Sequence, residues 1–598
     1  MLMITRPHRL HWRGWLCAAL LGLAATLAQA ASASRELQRL FDEHWRWQMR
    51  HQPEWASSLG VVEAGERWDD HSPAALDAAD AHERQLMQRL QRIKPQQLRG
   101  EERLSWEIFH HDLALAIEQQ RHPVLRTLVL SGVAGPHLAL SGVLQDMPMT
   151  SEADARRVLA RLAAWPARVD QDLALARDGL KRGWVSHRAS LQRLLDQLDG
   201  QLALPPRQQP AFEPMARLLA AGPEVMVTPA RREALAAEAE ALIVQRIAPA
   251  LRTLRRAVAE ELLPAAPANG SLSLRPGGAE VYRLLVREQT TTDLNPTQIH
   301  AIGLGEVQRL RAEMDALRAS TGFAGDFDAF VRFLYTDPRF FHRSAEALLD
   351  GYRSLAKRVD PALPRLFATL PRQPYGIRAI PPDQGAGMAD NYSGGSPDNS
   401  RPGWFNTNVV ALDQRPIWQM EALFLHETVP GHHLQGARAQ ELTQLPEWRR
   451  HAWHVAYGEG WALYAEGLGE SLGLYQDPYS RFGRLSYEAW RAARLVVDTG
   501  IHALGWSREQ AIDYISGCCG MGREEMAAEV DRYIAWPAQA LGYKLGQMRI
   551  LALREQARQA LGERFDIRRF HQAVLDHGSV PLPVLERIVA DWIRSQRP

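Results

Sequence analysis

Lysine is nearly absent from the 598-residue chain: Lys94, Lys181, Lys357 and Lys544 are all there is, and arginine carries almost all the positive charge. This bias, together with abundant Ala and Leu, reads as the mark of GC-rich coding. Excess charge is lacking too. The 70 Lys and Arg residues meet 69 Asp and Glu for a net charge of +1, which excludes nucleic acid or an anionic membrane as a dominant electrostatic partner. Cysteine is scarce, and of Cys17, Cys518 and Cys519 the last two are adjacent, where a disulfide would close a strained ring. A disulfide framework is therefore excluded. No apolar run after the N-terminus reaches about 18 residues, so no membrane span is expected. Also missing are a G-x-S-x-G elbow, a Walker loop and a G-x-G-x-x-G after a strand, which removes the common nucleophile and nucleotide motifs.

What is present begins with an export signal. Arg6, Arg9 and Arg13 precede the apolar run WLCAALLGLAATLA, and Ala28-Gln29-Ala30 offers small residues for cleavage. Residues 1–30 are read as a signal peptide, Cys17 leaves with it, and the mature protein is expected in the periplasm or secreted, without stable membrane insertion.

From Ala33 to about Pro264, apolar residues recur at three- and four-residue intervals, which predicts amphipathic helices. The stretch LLPAAPANGSLSLRPGG at 262 predicts a boundary between an N-terminal helical lobe, about 31–264, and a second lobe, about 280–598. Asn295, Pro296 and Gln298 form a helix start with a capping box. Between about Leu370 and Asn408 the texture turns rich in Gly, Pro, Asn and Asp, with extended pieces expected at Tyr375 to Ile380 and Trp404 to Val410. The expected class is mainly α, two helical lobes around a deep cleft, with a small β element. A strand in that position could hold an extended substrate by its backbone, or it could be a covering hairpin.

After this element comes HETVPGHHLQ, residues 426–435, which departs from the zinc-protease pattern H-E-x-x-H because Pro430 stands four positions after His426. In an unbroken helix His433 would share a face with His426 but lie roughly 10 Å further along the axis. Pro430 and Gly431 make an unbroken helix improbable, and a local break could bring His432 to His426. His432 is the expected second ligand, with His433 as the alternative. Downstream, YGEGWALYAEGLGE places Glu459 and Glu466 seven residues apart, nearly on one face of a helix that has room to return antiparallel. Glu459 is the expected third ligand and Glu466 a group that orients a ligand histidine, or else a solvated charge. The competing reading is a hydrogen-bonded core without metal.

HETVPGHHLQ, EGWALYAEGLG, RAARLVVDTGIHALGW and RYIAWPAQALGYKLGQ together resemble the bacterial family catalogued as domain of unknown function 885, over most of the mature chain. That family is similar to the helical zinc peptidases of the Taq carboxypeptidase, oligopeptidase and angiotensin-converting enzyme type. Their Gly-His pair at the end of H-E-x-G-H matches Gly431 and His432, with two residues inserted. The resemblance implies Zn²⁺ on His426, His432 and Glu459, with Glu427 as the base that takes a proton from metal-bound water. It also implies Tyr and His donors to the oxyanion from elsewhere in the chain. In RLVVDTGIHALGW the residues Arg494, Asp498 and His502 recur every four positions, a polar stripe expected to line the cleft. His502 is the expected donor, Asp498 its support or that of a ligand, and Arg494 a binder of peptide carboxylates. Tyr543 is the expected phenolic donor, with Tyr533 as fallback, and Asn406 a further substrate-binding or supporting residue. The expected activity is hydrolysis of short peptides. Alternatives are a zinc amidohydrolase acting on other or blocked amides, and a peptide-binding protein without catalysis.

Overall fold

The computed structural model describes residues 11–380 and 389–596, with the side chains of 11–28 excepted, so of the expected signal segment at residues 1–30 the first ten lie outside the described residues and the rest is described as helical backbone. The chain is mainly α, with a single three-stranded sheet among the described residues. No helix of the described residues is long and apolar enough to cross a membrane.

The elements that build the site are α1 (Pro296–Ser320), β1 (Tyr375–Ala379), β2 (Asn391–Ser393), β3 (Gly403–Thr407), α2 (Ile417–Glu427), α3 (His432–Gln440), α4 (Val455–Glu466), α5 (Pro478–His502), α6 (Arg523–Ala535) and α7 (Gly542–Leu561). The start of α1 is the one read from sequence: Asn295 and Gln298 exchange both capping-box hydrogen bonds and Pro296 occupies the first turn. Asp477 caps α5 by accepting from the backbone N–H groups of Tyr479 and Ser480. Helix α5 is buried along most of its length and packs against α1 and α2.

The sheet runs in the order β1-β3-β2, with β1 parallel and β2 antiparallel to β3. Two of the three strands fall where extended pieces were expected, though β3 ends at Thr407 and not at Val410. The three-residue β2 was not anticipated. Its sequence, NYS, carries no alternation to betray it, and only its pairing with Trp404 to Asn406 makes it a strand.

Residues 68–266 supply one hydrophobic core by themselves. Leu37, Leu40, Phe41, Ile108 and Phe109 instead join a second core with residues 348–593, so the first helices pack with the C-terminal part of the chain. A third core lies among α1, α5 and α6. Where α4 crosses α7 the backbones touch. A Cβ on Gly460 would lie 2.5 Å from Gly546 Cα, and one on Gly546 would lie 1.8 Å from the Ala456 carbonyl oxygen. Only glycine permits this approach, and it sets the start of α7 beside the site.

Candidate metal centre

Helix α2 ends at Glu427 and α3 begins at His432, so the break read from Pro430 and Gly431 is present. Gly431 has no room for a side chain, since a Cβ there would meet the His426 carbonyl oxygen at 2.0 Å and that of Leu425 at 2.3 Å. The loop is fastened by Trp461 Nε1–H donating to the Pro430 carbonyl at 2.8 Å. By folding back, the chain sets the His426 and His432 rings 4.8 Å apart and nearly perpendicular.

Glu459 on α4 faces both rings: its Oε2 lies 3.5 Å from His426 Nε2 and 3.4 Å from His432 Nε2. A tetrahedral ion with bonds of about 2.0–2.1 Å separates its ligands by about 3.3–3.4 Å, so these donors stand at the spacing one ion requires. Among the described residues, His426, His432 and Glu459 form the one group able to hold a metal ion. Glu459 Oε2 is buried and has no hydrogen-bond partner. Such an atom is costly to leave unpaired, and the donor set fits a cation placed between it and the two imidazoles.

Two turns along α4, Glu466 Oε1 accepts from His426 Nδ1–H at 2.8 Å. The His426 ring is thereby clamped with its Nε2 facing Glu459. Burial alone would lower the His426 pKa, but the Glu459 and Glu466 carboxylates outweigh it and push the value up to about 9. Glu459, though burial works the other way, is held well below the usual carboxylate range by His432 and His426. Glu427 is raised, chiefly by desolvation. It is 8% exposed, and among the described residues no hydrogen bond engages its carboxylate.

His433 is not part of this group. It accepts from the Tyr392 hydroxyl at Nδ1 (2.9 Å) and donates from Nε2 to the Gln373 carbonyl (3.1 Å), which ties α3 to the sheet. Both nitrogens are spent, so the alternative ligand named from sequence falls away.

Tyr543, at the start of α7, lies parallel to the His426 ring with centroids 6.3 Å apart, and its hydroxyl accepts from Gln539 at 3.4 Å. The Arg494 guanidinium stands 4.3 Å from the centroid of the Tyr543 ring, over its face. It donates to the Tyr533 hydroxyl (2.9 Å) and Glu529 (3.1 Å), while its Nη1 is buried without a partner. Tyr533, the fallback donor, also accepts from Trp490 and is completely buried.

The lower part of the polar stripe has other duties. His502 is completely buried and donates from Nε2 to the Tyr533 carbonyl at 3.0 Å. Among the described residues no hydrogen bond or ring contact joins it to His426, His432 or Glu459, and its burial keeps it from a bound ligand, which corrects its assignment as oxyanion donor. Asp498 accepts from the Tyr282 hydroxyl (2.5 Å) and from the Ala538 N–H (3.1 Å), not from His502 or a ligand histidine. Asn406 is likewise structural: its carboxamide bonds Arg378, Asn391 and Ser393 within and beside the sheet. The sequence reading missed the wall formed by Arg494, Glu529 and Arg532. Its signal was the acidic and basic pair Glu529 and Arg532 one turn apart on α6, facing the Arg494 stripe.

Residues 53–589 match the bacterial protein family of unknown function DUF885. A crystal structure of a candidate lipoprotein from Colwellia psychrerythraea is similar at a TM-score of 0.89 and 28% identity, covering 94% of this chain and 99% of that one. A candidate lipoprotein of unknown function from Shewanella oneidensis has the same fold at a TM-score of 0.67 and 17% identity, covering 93% and 99%. Among curated proteins none matches.

Proposed function

The chain belongs to the bacterial family DUF885, and from that premise we propose that it is an exported, periplasmic or secreted, zinc-dependent peptidase acting on short peptides. The observation that carries this reading is the buried Glu459 Oε2, without a hydrogen bond, set between two imidazole nitrogens 3.4 and 3.5 Å away. Two His and one carboxylate are a donor set suited to zinc that leaves one position open for chemistry. Zinc held there supplies Lewis acidity toward a scissile carbonyl and toward water.

The chain's own groups divide the remaining work. Glu427, whose carboxylate makes no hydrogen bond among the described residues and whose pKa burial raises, takes a proton from the attacking water and returns it to the leaving amine. Tyr543, parallel to the His426 ring with centroids 6.3 Å apart, donates its phenol to the developing oxyanion. Glu466 keeps His426 in the tautomer that presents Nε2. Arg494 and Arg532 share the single carboxylate of Glu529, and Arg494 Nη1 lacks an acceptor. That surplus positive charge behind Tyr543 supports substrates that bring a carboxylate of their own, as short peptides do.

Hydrolysis of a panel of short peptides, with free and amidated C-termini, by zinc-loaded protein tests the reading. Glu427→Gln should retain the metal and lose at least about a hundredfold in kcat. Cleavage of none of the panel by the metal-loaded wild type, or unchanged turnover in Glu427→Gln, contradicts it.

A further inference from the structure

Trp453 is 52% exposed, which for a tryptophan is unusual enough to ask what its free surface is for. Single apolar residues on a surface need no explanation, but the position of this one does. Its ring centroid lies 5.8 Å from that of His432, tilted by 54°. On the other side the indole lies over Gly458, where a Cβ would come within 2.2 Å of its Cη2. Gly458 immediately precedes Glu459, so the indole that faces His432 also packs on the turn of α4 that carries Glu459.

The backbone under Trp453 is anchored at both ends. His454 donates its N–H to Ser579 Oγ at 2.8 Å, and its ring bonds Ser579 and Asp112 at 3.2 and 3.1 Å. Before it, His451 stacks on Trp45 with centroids 5.4 Å apart, and Arg450 donates to the Gln440 carbonyl at 2.9 and 2.7 Å. An indole on so fixed a base is a preformed surface, which loses little freedom when another group covers it.

We propose that Trp453 forms the apolar wall of a subsite that receives an aromatic or large aliphatic side chain from the peptide residue flanking the bond to be cleaved. This rests on the peptidase reading above. Covering the indole removes apolar surface from water on both partners, and an aromatic ring adds the offset or edge contacts such pairs favour. Gly458, lacking a side chain, is what lets the indole lie directly on α4 beside His432.

The test measures kcat/KM for peptides bearing Phe, Ala or Arg on either side of the cleaved bond, with wild type, Trp453→Phe and Trp453→Ala. Wild type should prefer Phe to Ala at one of the two positions by at least about tenfold. Trp453→Ala should erase most of that preference through KM, and Trp453→Phe should restore most of it. A preference that survives Trp453→Ala, or one for Arg that is lost with the indole, overturns the proposal. If the wild type cuts no peptide, the peptidase reading fails on its own, and the subsite is read by binding. Benzyl-bearing and methyl-bearing amino-acid hydroxamates are then titrated onto the zinc-loaded protein: tighter benzyl binding that Trp453→Ala abolishes upholds the wall, and equal binding overturns it.

Discussion

Glu466 bears on the candidate metal centre only through His426, by fixing which nitrogen of that ring carries the proton. Glu466→Gln keeps the size of the side chain and an acceptor, but lowers the basicity it lends to the imidazole. Zinc affinity should fall about ten- to a hundredfold, measured by competition with a chromogenic chelator. Asp498 offers a separate test away from the metal. Its burial pushes the pKa up from 3.8 to about 7, against the lowering effect of the Tyr282 and Ala538 hydrogen bonds. Between those values the native state holds a proton that the unfolded chain has released. The contribution therefore makes stability fall as pH rises from about 4 to about 7, by up to about 1.4 kcal/mol per pH unit, and level off above. Asp498→Asn keeps an acceptor for both donors and removes the titration, so denaturation midpoints across that window should show a shallower decline than wild type. At this scale the sequence was informative where spacing alone set geometry. Glu459 and Glu466, seven apart on one helix, had to face the same way, and Pro430-Gly431 had to break α2. It was uninformative for His502, because a four-residue repeat gives a stripe without saying which neighbour covers it.

Between elements, the positions of α5 and α7 are locked by one buried cation. Lys544 is 1% exposed and places Nζ 2.8 Å from Glu488 on α5, 2.9 Å from Glu306 on α1 and 2.8 Å from Gln547. All three ammonium protons are thus accounted for. It follows Tyr543 directly, so the clamp also sets the register of the phenol beside His426. Lys544→Met should cost roughly 3 kcal/mol, the low end for breaking a buried pair, because Arg484 and Arg309 still serve Glu488. Chemical denaturation measures the loss. The helices themselves were legible from periodicity and caps, as Asn295 and Gln298 illustrate. The strand β2 and the glycine contact between α4 and α7 were not, since both depend on partners distant in sequence.

For the molecule as a whole, the mainly α class was legible, and so was the small β element ahead of the metal helix. The packing of residues 33–113 with the C-terminal helices was not, because amphipathic patterns report that a face is buried without naming what buries it. That packing reaches the candidate centre: His454 at the start of α4 holds Asp112 from the first helices, and α4 carries Glu459. The candidate centre brings together residues of α2, α3 and α4. Metal analysis of the folded, purified protein tests it most directly. The prediction is one zinc per chain in wild type and in His433→Ala, and loss of bound zinc in His426→Ala, His432→Ala and Glu459→Ala. Full zinc content in any of those last three, each verified as folded by circular dichroism, would contradict it.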